Sequence, residues 1–380
     1  MQSGAEYLSS AKRIVIKLGS ALLINAEGKA NAARIQAISR DIISLRAQGK
    51  QIVIVSSGSI ALGRKALKLK SGALKLEEKQ AAAASGQIRL MRAWEDAFAV
   101  HNVPVAQALL TLDDTEIRRR WLNARATLNT LLEAGAIPIV NENDTVATEE
   151  IRYGDNDRLA ARVAQMTGAD VLVLLSDIDG LYTADPRNDP SAKHIPVVTD
   201  LTPDIMNMGG SANAQAGVGS GGMATKLQAA RIAMTAGCAT VITRGEPTDA
   251  ASDLPMAALK NGALATWFIP PVSPDTARIQ WLMGSLKPAG KVTVDAGASR
   301  ALRKGKSLLP AGVTHIEGHF DRGDAIEVVD PQGHPVSRGI SAYSSEDATR
   351  LIGRNSSEIE SILGFKGRPA LIHCDDLILL

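Results

Sequence analysis

The chain has 380 residues, 45% hydrophobic and 22% charged, with 42 basic against 40 acidic side chains. That is enough material for two domains with ordinary cores, and a net charge of +2 leaves no general attraction for nucleic acid or an anionic membrane. Cys238 and Cys374 stand far apart without a Cys-x-x-Cys partner, which argues against a disulfide framework or thiolate metal site and fits a reducing cytoplasm.

No basic region leads into an apolar stretch at the start, because Lys17 interrupts the first hydrophobic run, so no signal peptide is expected. No apolar segment approaches the ~18 residues of a membrane span. The first run, Ile14-Val15-Ile16, is β-branched and too short for a helix, as a buried strand would be. It ends in Lys17-Leu18-Gly19-Ser20. A cation at a strand end, beside backbone with no Cβ in the way, suits an anion that must approach closely. Residues 31–48 follow as a predicted helix, with Ile35, Ile38, Ile42 and Leu45 on one face and Gly49 as its stop.

A strand over 51–55 then ends in Ser56-Ser57-Gly58, and the same phrase recurs. Gly135 precedes an apolar run ending in Asn141-Glu142-Asn143-Asp144; Gly168 precedes one ending in Ser176-Asp177; Gly237 precedes one ending in Thr243-Arg244-Gly245. Helix, glycine, buried strand, repeated, predicts an α/β domain with a mainly parallel open sheet flanked by helices. In such sheets ligands bind beyond the carboxyl ends of the strands, so the polar residues gathered there are the site candidates.

Prolines at 270, 271 and 274 mark a break, and from Lys291 the texture changes to short alternating runs separated by turn residues such as Asp321-Arg322-Gly323-Asp324. The expected organisation is a first domain over 1–270, a linker over 271–288, a small β-rich domain over 289–367, and a tail over 368–380.

Two stretches carry most of the chemical information. Gly217 to Lys226 contains a formal G-x-G-x-x-G, but that fingerprint needs a strand immediately before it, and a glycine-rich loop stands there instead. No G-x-x-x-x-G-K-[ST] occurs either. What remains is a loop opening a helix from about Met223, whose backbone N–H groups and positive end favour phosphate, with Lys226 in its first turn. The second stretch, Gly154-Asp155-Asn156-Asp157, places two carboxylates around an amide at a predicted helix start; such residues also serve as plain N-caps. Histidine and cysteine are absent from all these motifs, which counts against a thiol or histidine nucleophile and a zinc hydrolase. His315 and His319, in the β-rich region without a third ligand, are expected to be structural.

At these residues the chain resembles the amino acid kinase family, within it most closely the branch acting on the side-chain carboxylate of glutamate. The matching segments are Lys17-Leu18-Gly19-Ser20, Val55-Ser56-Ser57-Gly58, Asn141-Glu142-Asn143-Asp144, Gly154-Asp155-Asn156-Asp157, Asp179-Gly180-Leu181-Tyr182 with the residues that follow, and Gly221-Gly222-Met223-Ala224-Thr225-Lys226. The second domain resembles a PUA domain, notably at Gly305-Lys306-Ser307-Leu308-Leu309-Pro310 and Tyr343-Ser344-Ser345. The resemblance implies ATP as phosphoryl donor, L-glutamate as acceptor, Mg²⁺, γ-glutamyl phosphate as product, inhibition by proline, a homo-oligomer, and a functional link to glutamate-5-semialdehyde dehydrogenase. It places ATP at Lys17, Ser176, Asp177 and Ser220 to Lys226, that is Ser220, Gly221, Gly222, Met223, Ala224, Thr225 and Lys226. Glutamate falls at Ser57, Gly58, Asn141, Asp144, Asp155 and Asn156.

A side-chain carboxylate with a pKa near ~4.3 is already ionised at neutral pH and needs no general base, so the difficulty is bringing one anion to another. Lys17 and Lys226 are expected to contact the transferring phosphoryl group and the β-phosphate, with Asp157, or alternatively Asp155, holding them in place. The competing readings are a family member acting on aspartate or acetylglutamate, and an RNA-binding protein working through the PUA-like domain. Against the latter, residues 289–380 carry 11 basic and 12 acidic side chains, so the phosphate-contact contribution is small and no RNA partner is expected.

Overall fold

A computed structural model describes residues 4–70, 72–147, 156–210, 222–246, 254–277 and 288–380. Its first compact unit, Met1–Pro274, is built on an eight-stranded sheet. The strands of this unit are β1 (Arg13–Leu18), β2 (Gln51–Ser56), β3 (Val105–Leu110), β4 (Ile137–Glu142), β5 (Val171–Ser176), β6 (Leu181–Tyr182), β7 (His194–Ile195), β8 (Val197–Val198), β9 (Ala239–Arg244) and β10 (Ala265–Phe268). The sheet order is β3-β4-β2-β1-β5-β9-β10-β8, while β6 and β7 form a separate two-stranded hairpin. From β3 to β9 every pairing is parallel; β10 runs antiparallel to β9, and β8 lies parallel to β10.

The central strands are apolar on both sides because both faces are covered. One face carries Ile14, Ile16, Ile52, Ile54 and Val173 into a core with Ile38, Leu90, Trp94 and Phe98. The other carries Val15, Val53, Val55, Leu174 and Ile242 into a core with Leu159, Val163, Leu227 and Ala230. The longer helices over these faces, among the described residues, include α1 (Ala32–Arg46), α2 (Ser59–Ala66), α3 (Leu76–Ala99), α4 (Arg118–Glu133), α5 (Asn156–Thr167) and α6 (Met223–Thr235). The start of α1 is capped by Asn31, whose side chain accepts the backbone N–H of Arg34 at 3.2 Å.

Neither α3 nor β3 is among the elements expected from the sequence. The buried face of α3 includes Ala82, Ala83 and Gly86, small residues that give little hydrophobic periodicity, and β3 is a half-buried edge strand with two alanines. Small side chains let α3 touch α2. A Cβ on Gly86 would lie 1.7 Å from the carbonyl oxygen of Ser59, and one on Gly63 would lie 1.7 Å from that of Ala82.

The second unit, Asp275–Leu380, holds a five-stranded sheet of β11 (Gly290–Val294), β12 (Val313–Gly318), β13 (Ala325–Val329), β14 (Pro335–Ile340) and β15 (Leu377–Leu379). The order is β12-β11-β13-β14-β15, with β11 and β13 parallel and the other pairs antiparallel. Val292, Ile326, Val328, Leu351 and Ile372 fill its core. Two boundaries differ from the sequence expectation. The first unit runs through Pro274 rather than ending at 270. The stretch 368–380, expected as a tail, supplies β15 to the sheet and Leu371, Ile372 and Leu377 to the core; its apolar runs are too short to announce a strand by themselves. Among the described residues no helix is long and apolar enough to cross a membrane.

Candidate active site

Parallel register brings the polar strand ends to one edge of the first sheet. Lys17 pairs with Val55 on one side and Leu174 on the other, and Leu18 pairs with Ser56. Val55 pairs with Val140, so Asn141 stands level with Ser56; beyond β5, Ser176 pairs with Arg244. Side chains alternate along a strand, so Lys17 shares its face with Val15, and Ser176 with Leu174. That is the face covered by α5 and α6.

Both helices begin at this edge, and their first turns complete a cation–carboxylate–cation group. Asp157 of α5 is 0% exposed, and its Oδ1 lies 2.6 Å from Lys17 Nζ. Its Oδ2 lies 3.1 Å from Lys226 Nζ and accepts the hydroxyl of Thr225 at 3.3 Å. Both lysines are 5% exposed. Burial by itself would raise the Asp157 carboxyl, but the two ammonium groups outweigh it and hold the group below the usual carboxylate range. Two cations fixed on one buried anion are a prepared receptor for a further anion, because their side chains are already ordered. Gly222 stands at the N-cap of α6, leaving the first N–H groups of a 13-residue helix beside Lys226, with Met223 and Ala224 in its first turn.

One residue earlier on α5, Asn156 joins a second polar group. Its Nδ2 donates to Ser57 Oγ at 2.7 Å, Asn141 Oδ1 at 2.9 Å and the Ser56 carbonyl at 3.3 Å. Asn141 Nδ2 donates in turn to Gln87 Oε1 at 2.9 Å and to Ser59 Oγ at 3.4 Å. The Ser59 hydroxyl donates to Asp144 Oδ2 at 3.4 Å. Gly58, at φ 112°, caps α2 in the left-handed region, and a Cβ there would crowd Ile24. Beneath, the Trp94 indole N–H donates to Ser56 Oγ at 3.0 Å.

Ser176 and Asp177 end β5, the strand beside β1, with the hydroxyl donating to the carboxylate at 3.0 Å. Close by in register, Arg244 reaches Asp179 at 3.6 Å, and Asp179 accepts the Tyr182 hydroxyl at 2.9 Å. The structure thus joins Lys17, Asp157, Thr225 and Lys226 in one contact group, and Ser57, Asn141, Asn156 and Asp144 in another. Asp155, Ser220 and Gly221 lie outside the described residues. Sequence reasoning missed Ser59 and Gln87. A signal for Gln87 exists: Ala83, Gln87, Leu90 and Trp94 fall four, three and four residues apart, which puts an amide on the buried stripe of α3.

The sequence pattern of the amino acid kinase family matches residues 12–244, which is the unit holding this site. The chain belongs to the amino acid kinase family. A PUA domain pattern matches residues 290–363, within the second unit. Relatives named glutamate 5-kinase align nearly end to end. That of Paramagnetospirillum magneticum is 56% identical over 98% of this chain and 99% of its own length. That of Caulobacter vibrioides is 59% identical over 99% of each, and that of Agrobacterium fabrum 55% over 98% and 94%.

Proposed function

We propose that this chain transfers the γ-phosphoryl group of ATP to the side-chain carboxylate of L-glutamate, giving γ-glutamyl phosphate for proline synthesis. The observation that carries the reading is the buried Lys17–Asp157–Lys226 group placed one residue from the amide network of Asn156. The near end-to-end likeness to relatives named glutamate 5-kinase supports it.

The chemistry follows from charge. At neutral pH the acceptor carboxylate is ionised and can attack without losing a proton. The obstacle is repulsion between that anion and the triphosphate, so the protein's task is to offset charge and hold the attacking and leaving oxygens in line. Lys17 and Lys226 are the groups assigned to the γ- and β-phosphate oxygens. Asp157 keeps both ammonium groups pointed at one place and stays ionised itself. Gly222 and the start of α6 offer backbone N–H groups to the phosphates, and Ser176 and Asp177 flank the nucleotide on β5. Ser57, Asn141, Asp144 and Asn156 face the amino acid, with Asp144 as the acceptor for its ammonium group.

Among the described residues no group of three histidine, cysteine or acidic side chains could cage a metal. Mg²⁺ brought in with the nucleotide would need no such cage; it would screen phosphate charge, and Asp177, exposed just past the end of β5, is the carboxylate that would face it. The reading extends to a cytoplasmic homo-oligomer inhibited by proline. An acyl phosphate hydrolyses readily, so it also calls for a downstream reductase, glutamate-5-semialdehyde dehydrogenase.

ADP release measured with glutamate, aspartate and N-acetylglutamate, each with and without proline, tests the assignment. Glutamate is expected to be the preferred acceptor. A preference for either of the others, or no acceptor-dependent ADP at all, would overturn it.

A further inference from the structure

The amide network has a direction, and its far end is unmet. The Ser56 carbonyl can only accept, so the Asn156 side chain must turn its NH₂ toward it. That same NH₂ donates to Asn141, whose Oδ1 also accepts the backbone N–H of Glu142 at 2.9 Å, a group that can only donate. Two independent partners therefore fix the orientation of Asn141, and its NH₂ must face Gln87 Oε1. The Gln87 NH₂ is left at the end of the relay, buried, with no hydrogen-bond partner among the described residues. Gln87 is itself 8% exposed, and the Gly86–Ser59 contact of α3 with α2 holds it in place. An unmet buried donor is costly, and such a cost is tolerated where a ligand later supplies the acceptor.

We infer that Gln87 Nε2 is a specificity-determining donor for the α-carboxylate of the amino-acid acceptor; this rests on the functional reading above. Position decides which carboxylate. Asn141, which Gln87 Oε1 meets at 2.9 Å, is on β4, two strand spacings, ~10 Å, from the strand of Lys17. The reacting carboxylate belongs beside Lys17 and Lys226, so the opposite end of an extended dicarboxylate falls at Gln87. Ser59 and Asp144, linked at 3.4 Å, lie in the same network for the neighbouring ammonium. A neutral α-amide at that end forfeits the charge-assisted hydrogen bond, a loss of about 10–100-fold in kcat/KM.

The test compares L-glutamate with its α-amide as acceptors for the full-length wild type, for Gln87→Met, which lacks the donor, and for Gln87→Glu at pH 8, which keeps the oxygen facing Asn141. Wild type is expected to favour glutamate about 10–100-fold. In variants that melt like wild type, the glutamate KM should rise at least about tenfold, the KM for ATP should stay within about threefold, and the preference over the α-amide should collapse. Equal use of both acceptors by the wild type overturns the inference whatever the variants do. So does a folded variant with an unchanged glutamate KM, or an ATP KM that rises as steeply as that of glutamate. Loss of all glutamate-dependent ADP release in the wild type would overturn the functional reading and this inference together, whereas normal turnover without α-amide discrimination would sink this inference alone.

Discussion

Replacing Asp157 with asparagine keeps the shape of the side chain and removes the charge that faces two buried ammonium groups. With Lys17 at 2.6 Å and Lys226 at 3.1 Å, each contact is worth about 5–6 kcal/mol of gross Coulomb attraction at an effective dielectric near ~20. Desolvation of three charges cancels much of that, but removing one member of a buried pair still costs ~3–5 kcal/mol, because the remaining charge is stranded. Asp157→Asn should therefore lower unfolding free energy by about 3–5 kcal/mol in urea at pH 7.

The pH dependence gives the prediction a second signature. Asp157 titrates below its unfolded value, so the folded state binds fewer protons, and its stabilisation is complete above the ordinary carboxylate range. That stabilisation is lost as pH falls through the depressed native value. The gap between wild type and variant should be flat across neutral pH and close only in acid. Misaimed lysines should also lower kcat by ~100-fold or more. A variant within about 1 kcal/mol of wild type, or within about tenfold in kcat, would refute the argument that Asp157 orders the two cations.

Lys17→Ala and Lys226→Ala should each lower kcat by ~100-fold or more in the ADP-release assay, and near-normal turnover in either would remove that lysine from the phosphoryl-transfer group. Gly86→Ala should cost ~1–3 kcal/mol and raise the glutamate KM, since its methyl would meet the Ser59 backbone rather than a movable side chain, parting α2 from α3 at Ser59 and Gln87. Thermal melting and acceptor titration check both effects. Asp41, 3% exposed, accepts the N–H groups of Met256 and Ala257 at the start of the helix Pro255–Lys260, and burial pushes its carboxyl up to about 6. A raised value means the folded state holds its proton longer than the unfolded chain, so stability should fall by roughly 2–4 kcal/mol between pH 4 and pH 7 and then level off. Asp41→Asn should flatten that slope in urea titrations; an unchanged slope would show that Asp41 is not its source.

The strand phrases were legible because β-branched runs bounded by glycine have few other uses, and the polar residue ending each one is a local feature. Lys17, Ser57 and Asn141 could be marked in this way, and Asn156, Asp157 and Lys226 as polar residues at predicted helix starts, before any pairing was known. Local pattern also marked the change of texture near residue 290, though not β15, whose three residues make sense only beside β14.

What the linear chain left open was which of these ends meet. Asp157 and Lys226 are 69 residues apart, and Lys17 is farther still from both, so no spacing rule links them. Packing of α5 and α6 over the sheet face that carries Lys17 made them neighbours, and it also chose Asp157 as the carboxylate between the lysines. Gln87 was passed over for the complementary reason: helical spacing sets it on one stripe with Leu90 and Trp94, but an amide among alanines gains a role only when Gly86 allows that helix to press against α2. Residue chemistry was thus readable from the sequence, while proximity was decided by burial of both sheet faces, which only the folded chain achieves.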